Sequence, residues 1–273
     1  MDDKKMKEHQ RVNDILLGPL ERPALAWLAK KMPAWVWPDT LTGIGIFASV
    51  LIFVSYWLTT YNKNFLWLAS FGFILHWFGD SLDGTLARYR KIERPRYGFF
   101  LDHAVDALSE ILIFIGIGLS PYVDLRIALF GLVAYLNISV LVYLIMLTKN
   151  YFQIALWKIG PTEFRVIAIL ANVVVYFIGN PSIKLPIGAV SLYNAVVVLV
   201  ALLLVVFFFY ELFYVGRQLA SEDDYSRIFR EQKEAQKNER HEQKTRERIL
   251  KREYKARKHA RLKRGVSDSP TRL

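Results

Sequence analysis

The sequence predicts an all-α, polytopic membrane protein with six transmembrane helices, an N-terminal amphipathic surface helix and a basic C-terminal helical tail. Three observations carry that expectation. Of 273 residues, 53% are hydrophobic and 14% aromatic. The apolar residues gather into runs such as VSLYNAVVVLVALLLVVFFFYELFYV, long enough for a bilayer core of roughly 30 Å, which a helix of about 20 residues spans. The formal net charge is nevertheless +11, so basic residues are segregated from those runs. Such segregation argues against a soluble domain with one large core. No cysteine is present, which excludes disulfides and thiolate chemistry. The opening MDDKKMKEHQ is charged and no apolar stretch follows at signal-peptide distance, so a cleaved leader is not expected.

Residues 11–31 place Val12, Ile15, Leu16, Leu20, Leu25 and Leu28 at near-helical spacing among charges. That pattern suits the membrane surface, with packing on protein as the alternative. Pro33 and Pro38 mark a break before the first span. Six spans are expected near 41–60, 65–88, 98–119, 126–147, 164–180 and 186–214. The odd-numbered loops hold few basic residues: Lys63, Arg126 and Lys184. The even-numbered ones carry Arg88, Arg90, Lys91, Arg94 and Arg96, then Lys149, Lys158 and Arg165. The positive-inside rule therefore puts both termini in the cytoplasm. Three segments follow: 1–37, a transmembrane domain over 38–216, and a tail over 217–273. The tail holds half of the 36 basic residues, interleaved with glutamates as in a solvated helix. Attraction to anionic lipid is reasonable there. No recognised motif or aromatic interleaving supports nucleic-acid binding. The last nine residues read as disordered.

Inside this apolar chain stand Asp80, Asp83, Asp102 and Asp106. Spacings of three and four put each pair on one helix face. At a rise of about 1.5 Å per residue, all four fall within about 12 Å of the cytoplasmic boundary. Clustered carboxylates repel and are costly in a membrane. Two protonated acids would relieve the repulsion, but divalent cations do so better. An all-oxygen donor set favours Mg²⁺, Mn²⁺ or Ca²⁺ over zinc or copper. Four aspartates from two helices can hold two ions, an arrangement suited to phosphoryl transfer. Gly84 and Ala87 admit close approach, and Arg88, one turn on, can hold a phosphate.

The order Asp80-x2-Asp83-Gly84-x2-Ala87-Arg88, then Gly98-x3-Asp102-x3-Asp106, resembles the signature of the CDP-alcohol phosphotransferases. The resemblance implies transfer of a substituted phosphate from a CDP-linked alcohol, commonly CDP-diacylglycerol, to an acceptor alcohol, with CMP released. It implies two Mg²⁺ or Mn²⁺ ions on Asp80, Asp83, Asp102 and Asp106, with Asp106 also the general base. It implies a nucleotide pocket shaped by Gly84, Ala87, Arg88 and Gly98, approached by the stretch Pro38 to Thr42 with Asp39 and Thr42. A homodimer is expected from the resemblance alone.

Lys149, Lys158 and Arg165 are candidates for binding a phosphorylated acceptor, although positive-inside topology explains them equally well. Glu110 either extends the acidic face or bonds a neighbouring helix. His76 and His103 either support the site or are satisfied in helix packing. Asn137 and Asn172 are expected to bond between helices. A cation transporter would need a polar path beyond Glu110, where the sequence reads ILIFIGIGLS. An intramembrane aspartyl protease leaves one aspartate pair unexplained. A scaffold acting through its basic tail would lose all function on deletion of 217–273, whereas an enzyme would keep its chemistry.

Overall fold

A computed structural model describes residues 11–12, 16–149, 152–153, 160–185, 188–223 and 225–265. The order is β1 (Arg11–Val12), α1 (Gly18–Lys31), α2 (Pro38–Leu58), α3 (Phe65–Arg90), α4 (Pro95–Leu119) and α5 (Leu125–Lys149). There follow β2 (Phe152–Gln153), α6 (Pro161–Ile178), β3 (Ser182–Leu185), β4 (Gly188–Ser191), α7 (Leu192–Glu222) and α8 (Tyr225–Gly265). Strand pairing among the described residues is confined to β1 with β2, parallel, and the antiparallel hairpin β3–β4.

Proline sets several helix starts. Pro38, Pro95 and Pro161 occupy the first turn of α2, α4 and α6, where a missing N–H costs nothing and φ is already helical. α3 ends on Lys91 in the left-handed conformation, φ 56°. Lys91 N–H reaches the Arg88 carbonyl and Ile92 N–H the Ala87 carbonyl, a Schellman cap. That turn sends the chain through a short loop into α4.

Five helices are long and apolar enough to cross a membrane: α2, α3, α5, α6 and the one beginning at Leu192. α4 has the length, but Asp102, Asp106 and Glu110 lie along it. The residues that mark the site thus remove the compositional signal for a span. The last expected span begins too early at 186: the hairpin occupies 182–185 and 188–191, and helix starts at Leu192. The β-branched Ile183 and Val190 suit the two strands better than a helix.

Two compact units are present, Met1–Leu212 and Phe213–Leu273. In the first, Ile52, Tyr56, Leu66, Phe73, Val175 and Tyr193 belong to one buried cluster. Asn172 is 1% exposed; its Oδ1 accepts from the Tyr56 and Tyr193 hydroxyls and its Nδ2 donates to Ser70. That fulfils the interhelical role expected of it. Asn137 lies exposed on α5 instead and makes no such bond among the described residues. α1 packs Leu25 and Ala29 against Leu41, Leu82 and Leu86, while Leu20 and Trp27 are exposed. In the second unit, α8 is a helix whose described side chains are exposed. Of the nine terminal residues expected to be disordered, Gly265 ends α8 and those from 266 on lie outside the described residues.

Candidate active site

The site forms at one end of the bundle, where α3 finishes and α2, α4 and α6 begin. α2 and α3 meet there almost backbone to backbone. A Cβ on Gly79 would stand 2.6 Å from the Gly45 nitrogen and 2.7 Å from the Leu41 carbonyl oxygen, so only glycine permits this approach. The closeness brings Thr42 to α3, and its hydroxyl donates to Asp83 Oδ2 at 2.7 Å. Asp83 Oδ1 accepts from the Gly84 N–H at 2.5 Å. Asp83 is 9% exposed, and these bonds offset part of the cost of burying it.

Asp80, one turn earlier, faces α6. Arg165 Nη2 donates to Asp80 Oδ2 at 2.5 Å, with both side chains largely buried. The carboxyls of Asp80 and Asp106 lie within hydrogen-bonding reach of each other, joining α3 to α4. On α4, ligand atoms of Asp102, His103 and Asp106 lie within 4.8 Å of one another. His103 Nδ1 is 3.5 Å from Asp102 Oδ2, and its ring stacks on Tyr143 and meets the edge of Phe99. An oxygen-rich set with one imidazole at such spacing fits a hard divalent cation. Asp80, Asp102 and Asp106 are therefore brought together, and Asp83 sits on the α2 side of the same end. His103, next to Asp102 in the sequence, stands beside this set and also packs between Phe99 and Tyr143.

Around the carboxylates, the Arg88 guanidinium folds back over Gly84: a Cβ there would be 3.3 Å from its Nη1. Arg88 also donates to Thr85. Nothing lies within 4 Å of a Cβ placed on Gly98, and the stretch 91–100 is exposed, so this flank is open. Asp39 forms an ion pair with Arg94, and Arg94 lies over the Tyr97 ring. Arg90 donates to the Met32, Pro33 and Val36 carbonyls, tying the α1–α2 connection to α3. Lys158 falls outside the described residues, and of Lys149 only its place at the end of α5 is described.

α6 is held from below as well as from within. Glu163 caps its own helix through the Gly160 N–H at 2.8 Å and also accepts the Leu17 N–H at 2.8 Å. Glu21 on α1 accepts from Trp77 Nε1 on α3 at 2.8 Å and from the Thr162 hydroxyl on α6 at 2.9 Å. These long-range bonds had no signal in the sequence.

The comparisons with known proteins agree with this arrangement. The family described as CDP-alcohol phosphatidyltransferase matches residues 35–210. Cholinephosphotransferase 1 of Xenopus laevis is 30% identical over 121 residues, 41% of this chain and 30% of that protein. That of Danio rerio is 30% identical over 96 residues, 33% of this chain and 25% of the relative. Phosphatidylinositol phosphate synthase of Cutibacterium acnes is 37% identical over 87 residues, 32% of this chain and 39% of the relative. The chain thus spans well under half the length of these relatives. Its long apolar helices mark a multi-pass integral membrane protein. With the match over residues 35–210 covering most of the chain, this protein belongs to the CDP-alcohol phosphatidyltransferase family.

Proposed function

We propose that the chain transfers a substituted phosphate from a CDP-linked alcohol to the hydroxyl of an acceptor alcohol, releasing CMP, as a step of phospholipid synthesis. The observation that carries this reading is the meeting of Asp80, Asp102 and Asp106 beside a donor-held Asp83, in the order of the family's motif. Asp80, Asp83, Asp102 and Asp106 would hold two Mg²⁺ or Mn²⁺ ions, which when bound neutralise charge on the departing phosphate. Asp106 takes the acceptor's proton. The proton leaves oxygen as the new O–P bond forms, and CMP departs with the electron pair of the old one. Arg88 over Gly84, the open flank at Gly98 and Ala87, and Asp39 and Thr42 across from them form the nucleotide side. Arg165 holds and aims Asp80 through their ion pair.

CDP-diacylglycerol is the donor carried over from the sequence resemblance. A CDP-linked head group is the second reading, supported by an apolar chamber behind Asp80 and Asp106, walled by Phe73, Phe114 and Val200, and by the relatives named cholinephosphotransferase. In this reading α4 also crosses the membrane, as the third of six spans, the site and both termini are cytoplasmic, and the chain acts as a homodimer of three segments, 1–37, 38–216 and 217–273.

The test incubates purified protein with each labelled donor, Mg²⁺ or Mn²⁺ and an acceptor panel, following CMP. Turnover should vanish with a chelator, return with the metal, and be absent in Asp106→Asn. Metal-indifferent turnover, or a fully active Asp106→Asn, would overturn the assignment.

A further inference from the structure

α8 carries its charge unevenly. Residues 225–243 hold five basic and four acidic residues, residues 244–264 eleven and two. The excess is also one-sided. Lys237, Arg240, Lys244, Arg248, Lys251 and Lys255 recur at intervals of three and four, so at 3.6 residues per turn they fall within an arc of about 80°. The row they form is about 27 Å long at the helical rise per residue. All six side chains are exposed. Glu239, Glu242, Glu247 and Glu253 lie outside the arc. Arg227 and Glu231 form an ion pair earlier on the helix, and none of the six is ion-paired among the described residues.

Such a row opposes the helix that bears it. Like charges three and four residues apart sit about 5–6 Å from each other and weaken a helix, well inside a screening length of about 8 Å at physiological salt. A surface of fixed negative charge along the row turns that repulsion into attraction. A nucleic acid would be gripped by arginine forks and stacked aromatics. Four of the six residues are lysines, and Tyr254, the aromatic of this stretch, stands beside the arc and not in it. Lysines are point charges, suited to a diffuse plane of headgroups. Tyr254 and Leu250 are exposed and flank the row on one side, as in helices that lie along a bilayer. A bilayer is also close at hand. α7, apolar enough to cross a membrane, ends at Glu222, and α8 begins at Tyr225. That tether makes docking on the same bilayer an intramolecular event.

We propose that the row from Lys237 to Lys255 is a docking face for acidic phospholipid headgroups, holding α8 along the membrane that α7 crosses. The docking face is independent of the reaction performed by the helical bundle.

The chain has no cysteine, so a fluorophore on Gln243→Cys of the full-length protein reports α8 alone. The protein is reconstituted in nanodiscs of phosphatidylcholine, with or without phosphatidylserine, that carry a quencher on their headgroups. Quenching should rise with phosphatidylserine and disappear at about 1 M salt, where the screening length is about 3 Å. Lys244→Glu with Lys251→Glu should lower the ratio of docked to free helix about tenfold or more, the scale of losing basic residues at such a surface. Arg246→Glu with Arg257→Glu makes the same change in net charge on another side of the helix and should cost much less. Quenching indifferent to phosphatidylserine overturns the proposal. Equal losses in the two pairs also overturn it, because net charge and not a face would then be responsible. Release of α8 from acidic discs by added RNA assigns the row to nucleic acid and overturns it as well.

Discussion

Arg165 on α6 and Asp80 on α3 form a largely buried ion pair at 2.5 Å, across 85 residues of chain. Removing one partner of such a pair leaves an uncompensated charge and costs about 3–5 kcal/mol. Arg165→Ala should therefore lower both the thermal midpoint and kcat, and lysine should restore little because it lacks the planar fork. A variant with unchanged kcat and a raised KM for phosphorylated acceptors would return Arg165 to acceptor binding.

Thr42 fixes Asp83 from the opposite side. Thr42→Val keeps the shape and removes the donor, at a cost of about 1–3 kcal/mol for the carboxylate left unpaired. The Mg²⁺ concentration for half-maximal activity should shift, and Thr42→Ser should rescue it. An unshifted metal titration would show that the bond does not tune the site.

Gly79 and Gly43 offer a matched pair. Gly79→Ala drives a methyl into the α2 backbone, whereas nothing lies within 4 Å of the same atom on Gly43. Overpacking of this kind costs about 1–3 kcal/mol and moves Thr42 away from Asp83. Activity and midpoint should fall in Gly79→Ala and hold in Gly43→Ala. Equal behaviour of the two would contradict the close helix approach.

Glu21 is a positioning residue, touching Trp77 and Thr162 one turn from the site residues Asp80 and Arg165. Glu21→Ala should lower kcat more than it changes either KM, and Glu21→Gln, which still accepts hydrogen bonds, should recover most of the loss. Failure of glutamine to rescue would assign the effect to charge instead.

At the other end of the bundle, the Arg126 side chain and backbone N–H bond Asp124, drawing its carboxyl down to about 2. A depressed carboxyl stabilises the fold above its unfolded value of about 3.9 and loses that contribution as pH falls towards the folded one. The midpoint difference between wild type and Asp124→Asn should be complete at pH 6 and shrink below pH 4. A difference constant down to pH 3 would contradict it.

Local chemistry made much of the architecture legible in the sequence alone. Runs longer than a bilayer core announced the long helices, Pro38 marked the start of the first, and spacings of three and four put each aspartate pair on one face. Those are properties of neighbouring residues, and a helix expresses them wherever it packs. Tertiary structure alone decided that Asp80 meets Arg165, that Thr42 serves Asp83, and that Glu21 joins α1 to α3 and α6. It also decided that an apolar chamber lies behind Asp106. Each of these depends on how closely two distant helices approach, and that distance is set by side chains such as the missing one at Gly79, far from the groups that do the chemistry.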